Sequence, residues 1–221
     1  MKQIIDVIAK LFSVKRKRVS TSDPTFILEK LYSSIDGFYI SKAERERLKI
    51  NDTSFIYGEI SSESFTEALA IAQPQAGNII YDLGSGTGKA VIYAALIYDW
   101  KKCVGIEFLP GLCQVSQALL NNFLCMKEIH QHFSHKHFPI KFIQGDFLNV
   151  DFSDADIIYL NATTLNPVLW DKLTKKLNEL KQGARVILST KKLEESYFEK
   201  IHQALYPMSW GDCTVFIYQK K

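Results

Sequence analysis

The chain has 221 residues, 47% of them apolar, which is enough for the core of one α/β domain with a short extension and too short for two full domains. Its 27 basic and 24 acidic side chains give a formal charge of +3, so the overall charge does not indicate a nucleic-acid-binding protein. The four cysteines include no CxxC pair, which argues against a zinc knuckle or a disulfide framework.

The first 60 residues predict an extension ahead of the main domain. Residues 2–12 predict a short amphipathic helix, too short to span a membrane, and the basic segment Lys15–Arg18 follows it rather than preceding it as in a secretory signal. We therefore expect no membrane span and a cytoplasmic location. Two further helices are predicted around Phe26–Ser33 and Lys42–Lys49, and the turn Tyr57–Glu59 comes next.

Residues 61–221 show the alternation of a doubly wound α/β domain. Ser61 and Ser62 are candidate N-caps of a helix that runs to about Ala72 and ends near Pro74. The apolar runs that follow predict buried parallel strands, which helices cover on both faces. The predicted strands are Asn78–Leu83, Cys103–Glu107, Ile140–Ile143, Ala155–Asn161 and Ala184–Ser189, and the helices between them are Lys89–Tyr98, Leu112–Lys127 and Pro167–Leu180.

The C-terminal segment predicts a different ending. A helix is expected from about Leu193 to Leu205, followed by strands at Tyr206–Trp210 and Thr214–Gln219. Gly211 and Asp212 form the predicted turn between these strands. The sheet is therefore expected to end in an antiparallel hairpin.

A glycine-rich turn, Gly84–Gly88 (GSGTG), lies between a predicted strand and a predicted helix. Its glycines allow a sharp turn that brings backbone amides against a ligand, and the helix N-terminus adds partial positive charge. Gly84, Ser85, Gly86, Thr87 and Gly88 are therefore candidate binding residues, although a tight turn without a ligand would have the same pattern.

Acidic side chains lie at the ends of neighbouring strands. Asp82 precedes the first glycine and can reach a cationic amino group, and Glu107 ends the next strand, where an acid can accept from two ribose hydroxyls. Asp146 and Phe147 follow the third strand, where a carboxylate can accept from an adenine amino group and a ring can pack on the base. In a parallel sheet all of these positions meet at the topological switch point.

A nicotinamide dinucleotide site is the alternative for this constellation. Its fingerprint places two residues between the second and the last glycine, whereas only Thr87 separates Gly86 from Gly88 here. That site also has no need of Asp82 or Asp146.

Over roughly residues 60–221 the motifs resemble the class I S-adenosylmethionine-dependent methyltransferases. The resemblance implies a Rossmann-like, mostly parallel seven-stranded sheet with an antiparallel C-terminal hairpin and helices on both faces. It implies S-adenosyl-L-methionine as cofactor and S-adenosyl-L-homocysteine as product. Asp82 and the turn Gly84–Gly88 would hold the methionine part, Glu107 the ribose, and Asp146 with Phe147 the adenine.

A narrower resemblance covers about residues 50–190. Tyr57-Gly58-Glu59, the glycine turn, Gly105–Glu107, Gly145–Leu148 and Asn161 are similar to motifs of the non-SET histone lysine methyltransferases of the disruptor of telomeric silencing family. A group of small bacterial and mitochondrial protein-lysine methyltransferases shares the cofactor motifs.

This resemblance implies a role for three residues outside the glycine turn. Tyr57 and Glu59 would close over the cofactor, and Asn161 with Tyr57 would line the channel for the acceptor lysine. The chain departs from the family at Ala162 and Thr163, where a second asparagine and an aromatic residue are usual, so the shape of this channel stays open. The implied acceptor is a protein lysine, with a histone or nucleosome as one candidate.

Two alternatives for the acceptor and the location remain. Methylation of a nucleic-acid base would use Asn161, but the stacking aromatic of that enzyme class is absent from Asn161–Thr164; Lys15–Arg18 could hold phosphates or an acidic protein surface. A secreted effector that acts in a host nucleus is the alternative to a cytoplasmic enzyme. No metal site is predicted, because the histidine-rich loop His130–His137 has only Glu128 as a further ligand type nearby.

Overall fold

The computed structural model describes residues 20–221. The predicted helix at residues 2–12 and the basic segment Lys15–Arg18 lie outside the described residues. Within the described part, no helix combines the length and the apolar character needed to cross a membrane.

Seven strands form a single mixed sheet in the order β3-β2-β1-β4-β5-β7-β6. The first five strands run parallel, while β7 is antiparallel to both β5 and β6. This architecture confirms the predicted Rossmann-like fold class. The strands are β1 Ile79–Leu83, β2 Lys102–Glu107, β3 Ile140–Gln144, β4 Ile157–Leu160, β5 Arg185–Ser189, β6 Phe198–Met208 and β7 Gly211–Lys220.

Helices cover both faces of the sheet. One core contains residues of α1, α3, α4 and α5, and the other contains Leu173 and Leu177 of α7. The two N-terminal helices also pack on the domain, α1 against α4 and α2 against α5. The helices are α1 Pro24–Tyr32, α2 Gly37–Arg47, α3 Ser62–Ala72, α4 Lys89–Ile97, α5 Pro110–Leu124, α6 Lys127–His132 and α7 Pro167–Leu177.

Local capping explains where several helices begin. The Ser61 side chain accepts from the backbone N–H of Ser64 at the start of α3, as its N-cap position predicts. Asn166 does the same for Leu169 at the start of α7, where Pro167 takes the first helical position. The long helix predicted at Leu112–Lys127 is instead α5 followed by the short α6.

The helix predicted from Leu193 to Leu205 is wrong. β6 occupies Phe198–Met208 and pairs with β7 along its length, with a bulge between Lys200 and His202. Tyr197, Ile201 and Leu205 recur at the four-residue spacing of a helix face, but all three are exposed in the structure. The conformation of this segment is therefore determined by its pairing with the buried strand β7 and not by the burial of an apolar helix face.

Candidate functional site

The site lies where the strand order reverses, between β1 and β4. Asp82 near the end of β1 lies between Gly105 of β2 and Tyr159 of β4 in the sheet register. The chain leaves β1 into the glycine turn and leaves β4 at Asn161. A crevice forms at such a switch point because adjacent crossovers turn to opposite faces.

The glycine turn is held against the end of β2. The backbone N–H groups of Gly84 and Ser85 both donate to the carbonyl of Ile106, at 2.8 and 3.0 Å. Gly86 has a φ of +55° and lies so close to Tyr57 that an added Cβ would be 2.4 Å from Cε2 of the ring. A side chain at position 86 would thus be strained in its backbone and would clash with a neighbour.

Asp82 is a buried carboxylate, with 5% of its surface exposed. Its side chain makes no hydrogen bond to any of residues 20–221. Burial raises its pKa well above the ordinary value, and the nearby Glu107 carboxylate raises the pKa further. Two acids in one buried site are costly unless a cation or hydrogen-bond donors compensate them.

Glu107 is also buried, but backbone donors hold it in place. Its Oε2 accepts from the N–H of Gly86 and its Oε1 from the N–H of Leu109, both at 2.8 Å. Burial raises the pKa of Glu107, and the backbone amides of Leu109, Gly86 and Phe108 act in the opposite direction. Each carboxylate oxygen keeps a second lone pair for a ligand donor.

Residues 52–60, which we call the strap, cross the cleft opposite the glycine turn. The Tyr57 hydroxyl donates to the carboxylate of Glu59 and forms a 2.9 Å hydrogen bond with Oγ1 of Thr87. The second carboxylate oxygen of Glu59 pairs with the Lys89 ammonium at 2.8 Å. Burial, and secondarily the charge of Glu59, raises the pKa of Tyr57, so its phenol stays protonated at neutral pH.

The strap divides the cleft into two parts of about 500 and 640 Å³. The first part is lined by the polar residues Asp82, Ser85 and Lys89 and by aromatic side chains. The second part is lined by Glu107 and apolar side chains. Residues that line both parts are Tyr57, Gly58, Gly84, Gly86 and Asn161.

Most of the predicted site residues line this cleft. Three do not: Gly88 caps α4, Thr87 is fully buried beneath the strap, and Asp146 caps a short 3₁₀ helix through a 2.8 Å bond from Leu148 N–H to its Oδ1. Thr87 holds Tyr57 in place and its carbonyl accepts from the hydroxyl of Tyr32 at 2.9 Å. The lining residues are Tyr57, Glu59, Asp82, Gly84, Ser85, Gly86, Glu107, Phe147 and Asn161.

Asn161 is fixed by the end of β5. Its Oδ1 accepts from the hydroxyl of Ser189 at 2.7 Å, and Ser189 in turn accepts from the N–H of Ala162 at 2.9 Å. The Asn161 amide nitrogen faces the carbonyl of Gly58 at 3.5 Å. The oxygen of this side chain is therefore engaged by the protein, and its amide hydrogens point toward the strap.

Several lining residues were not predicted as site residues from the sequence. Lys89 follows the glycine turn directly, and a cation at that position was a signal for an anionic ligand group. Phe65 and Tyr93, which line the first part, have the sequence pattern of ordinary core residues. Phe108 of the second part follows Glu107 and is 43% exposed.

The histidine-rich loop takes no part in the cleft. His130 and His132 belong to α6, and His132 forms a 2.8 Å hydrogen bond with Thr21. Residues 20–221 contain no group of three or more histidine, cysteine or acidic side chains that could hold a metal ion.

The sequence profile of the family described as "Histone methylation protein DOT1" matches residues 41–206. The chain belongs to the DOT1 histone methylation family. A relative of this DOT1-family chain is the histone-lysine N-methyltransferase, H3 lysine-79 specific, of Gibberella zeae, with 26% identity over 166 residues. That match covers 73% of this chain but only 33% of the relative, so the chain spans about a third of its relative's length.

Solved structures confirm the fold of this DOT1-family chain. An RNA methyltransferase from Salinibacter ruber, solved with S-adenosyl-L-homocysteine, superposes with a TM-score of 0.55 at 24% identity, covering 72% of this chain and 92% of that one. TrmN from Thermus thermophilus superposes with a TM-score of 0.57 at 18% identity, covering 73% of this chain and 49% of that one. At these identities the likeness concerns the Rossmann-like methyltransferase fold.

Proposed function

We propose that this DOT1-family chain is an S-adenosyl-L-methionine-dependent methyltransferase that methylates a protein lysine and releases S-adenosyl-L-homocysteine. The observation that carries the proposal is the buried Asp82 carboxylate, which has no hydrogen-bond partner within residues 20–221 and lies near the second acid Glu107. A ligand with an ammonium group offsets the cost of burying such a charge. Membership of the DOT1 family favours this cofactor over a nicotinamide dinucleotide.

The residues of the cleft fit the cofactor part by part. Asp82 would hold its ammonium group, and the Ser85 hydroxyl, which is buried without a hydrogen-bond partner in the described structure, would serve its amino-acid end together with Lys89. Glu107 would hold the ribose hydroxyls through its free lone pairs. Phe147, which lines the second part of the cleft, would pack on the adenine. Asp146 lies next to it outside the cleft lining, and because its Oδ1 already accepts from Leu148 N–H, it would reach the adenine amino group through Oδ2.

The remaining predicted site residues complete the proposed pocket. Gly84 and Gly86 let the backbone approach the ligand, while Thr87 and Gly88 support the turn from behind. Tyr57 and Glu59 of the strap would close over the ligand. In this proposal residues 61–221 form the cofactor-binding domain, and residues 1–60 form an extension that ends in the covering strap.

The bound cofactor supplies a methyl group on a positively charged sulfur, which a neutral amine can attack directly. The protein's part is to orient the amine and exclude water, which supplies much of the rate in such displacements. Phe65, Tyr57 and Tyr159 provide an aromatic wall at the first part of the cleft. Such a wall would lower the pKa of an entering lysine by disfavouring its charged form, so the lysine would release its proton to solvent on entry and the neutral amine would react without a dedicated base.

Burial also raises the pKa of Tyr159 well above its ordinary value, and the pKa of Tyr57 is raised as well. Both phenols therefore stay neutral and serve as channel walls rather than as bases. Asn161 lines both parts of the cleft and would form part of the wall of the acceptor channel, with its amide nitrogen turned toward the carbonyl of Gly58.

A histone is the acceptor that the family favours, and the Gibberella zeae relative is named for H3 lysine 79. Because this chain spans only a third of that relative, the histone acceptor, a nucleosome partner and action in a nucleus are all parts of the proposal. A lysine of a cytoplasmic protein is the alternative acceptor. A role for Lys15–Arg18 in binding nucleic acid lies outside the described residues.

Two measurements test the proposal. Isothermal calorimetry should show that the chain binds S-adenosyl-L-methionine and does not bind NAD, the comparison ligand. Asp82→Asn should weaken binding of S-adenosyl-L-methionine by at least about tenfold because a charged contact is lost. Transfer of labelled methyl to nucleosomes, free histones, cell extract and RNA then identifies the acceptor. Label on RNA and on no protein would refute the lysine proposal, and absence of cofactor binding would refute the methyltransferase proposal.

A further inference from the structure

The turn between β6 and β7, which we call the hairpin tip (Ser209 and Trp210), pairs with the end of the strap. Ser209 N–H donates to the carbonyl of Glu59, and Glu59 N–H donates to the Ser209 hydroxyl, both at 2.9 Å. Ile60 next to this pair forms an antiparallel bridge with Met208. The end of the strap therefore adjoins the sheet at its β6 edge through a single antiparallel bridge and these two hydrogen bonds.

Trp210 packs on the strap at its glycine. A Cβ on Gly58 would be 2.3 Å from Cζ3 of the indole, which means that the ring lies directly on the backbone there. Trp210 keeps 40% of its surface exposed, so this contact is made at the surface rather than in the core. A residue with any side chain at position 58 would push the indole away.

The opposite side of the strap rests on the glycine turn. Tyr57 lies against Gly86, and Glu59 pairs with Lys89 at the start of α4. The strap is thus held between two elements that are far apart in the sequence. The family match ends at residue 206, so the hairpin tip lies beyond it.

We propose that Ser209 and Trp210 are positioning residues that hold the strap closed over the cofactor cleft and so set the affinity for the cofactor. The inference rests on the proposed function for the identity of the ligand. Its physical basis is preorganisation: a strap that is already ordered has less conformational entropy to lose when a ligand binds beneath it.

The first test needs no cofactor. Amide hydrogen exchange followed by NMR reports whether the Glu59 N–H is protected, since it donates to the Ser209 hydroxyl. Ser209→Ala should speed exchange of this amide by about tenfold or more, as expected when an opening free energy falls by about 1.4 kcal/mol. Leu205→Ala is the control, because Leu205 of β6 is 64% exposed, and it should leave the exchange rate of the Glu59 amide unchanged. Unchanged exchange in Ser209→Ala would overturn the inference.

The second test measures affinity for S-adenosyl-L-methionine by calorimetry. Trp210→Ala should raise Kd by about tenfold, and Trp210→Phe should recover most of that loss because a ring can still cover Gly58. The melting temperature of the ligand-free protein should change no more than in Leu205→Ala. If the unmutated chain binds no cofactor, the proposed function fails; if it binds and Trp210→Ala binds equally well, only the positioning role fails.

Discussion

The ring of Tyr57 lies on the backbone of Gly86, with Cε2 only 2.4 Å from where a Cβ would stand. The phenol reaches past this glycine to Oγ1 of Thr87 at 2.9 Å. Strap and glycine turn are therefore in direct contact across the cleft, although 28 positions of sequence separate the two residues. Any change that widens this contact should open the cleft.

Gly86→Ala should both destabilise the protein and disrupt ligand binding. Gly183 is a matched control, since it also has a positive φ, +83°, but an added Cβ there has nothing within 4 Å. We expect Gly183→Ala to cost about 1 kcal/mol, from backbone strain alone. Gly86→Ala should cost more than this in urea unfolding, because Tyr57 must also move. Equal costs for the two variants would show that the Tyr57 contact is loose.

Asp82→Asn should stabilise the ligand-free protein. An acid whose pKa is raised on folding contributes its stability at pH values below its unfolded pKa of about 3.8, and this contribution is lost as the pH rises through the raised folded pKa. At neutral pH the charged side chain therefore costs free energy, and its removal should restore roughly 1–3 kcal/mol.

Thermal melts between about pH 4 and pH 8 measure this effect, because the range begins near the ordinary pKa of an aspartate and extends well above it. The unmutated chain should lose stability relative to Asp82→Asn as the pH increases. Cofactor affinity should follow the opposite trend, strengthening as Asp82 ionises in the unmutated chain and staying flat in the variant. A variant that is less stable at every pH would contradict the proposed cost of the buried charge.

The Lys30–Glu128 pair should make the docking of α1 sensitive to acid. The Lys30 ammonium, 2.5 Å from Glu128, lowers the pKa of that carboxyl from its ordinary 4.5. A depressed acid pKa contributes stability above the unfolded value, and this is lost as the pH falls through the folded value. Glu128→Gln should therefore be less stable than the unmutated chain at pH 7, and the difference should disappear in acid.

The exposed pair Lys175–Asp171 supplies the control for this experiment. Its two side chains are 72% and 63% exposed, so Asp171→Asn should change stability by less than about 0.5 kcal/mol. Melting curves for both variants between pH 3 and pH 7 cover roughly the window in which the Glu128 carboxyl titrates. A parallel loss in both variants would mean that general surface charge is responsible.

Ser189→Ala should impair turnover more than cofactor binding. The change removes the donor to Asn161 and leaves the Ala162 N–H without its acceptor, at a cost of about 1–3 kcal/mol in stability. We expect kcat to fall while KM for the cofactor changes little, since Asn161 would lose its fixed orientation. Thr190→Val removes a neighbouring hydroxyl that does not touch Asn161 and should keep kcat. A similar loss in both variants would assign the effect to the hydroxyl cluster as a whole.

Local signals in the sequence were sufficient to predict most of the fold. Ser61 begins α3 as its capping position indicates, and the apolar runs that predict parallel strands correspond to β1 to β5. Such signals depend on neighbours within a few residues, so packing elsewhere does not alter them. Asp82 and Glu107 were also predicted together, because parallel strands bring their carboxyl ends to one edge.

The sequence determined which residues stand at the strand ends and in the glycine turn, and the tertiary structure decided how they are covered and supported. The placement of Trp210 on Gly58 and of Lys89 beside Glu59 depends on segments that meet only after folding. The error at Leu193–Leu205 has the same origin, since β7 as a pairing partner outweighs a weak helical spacing. Short-range preferences are small compared with the burial and pairing that distant segments provide, which is why these features required the folded chain.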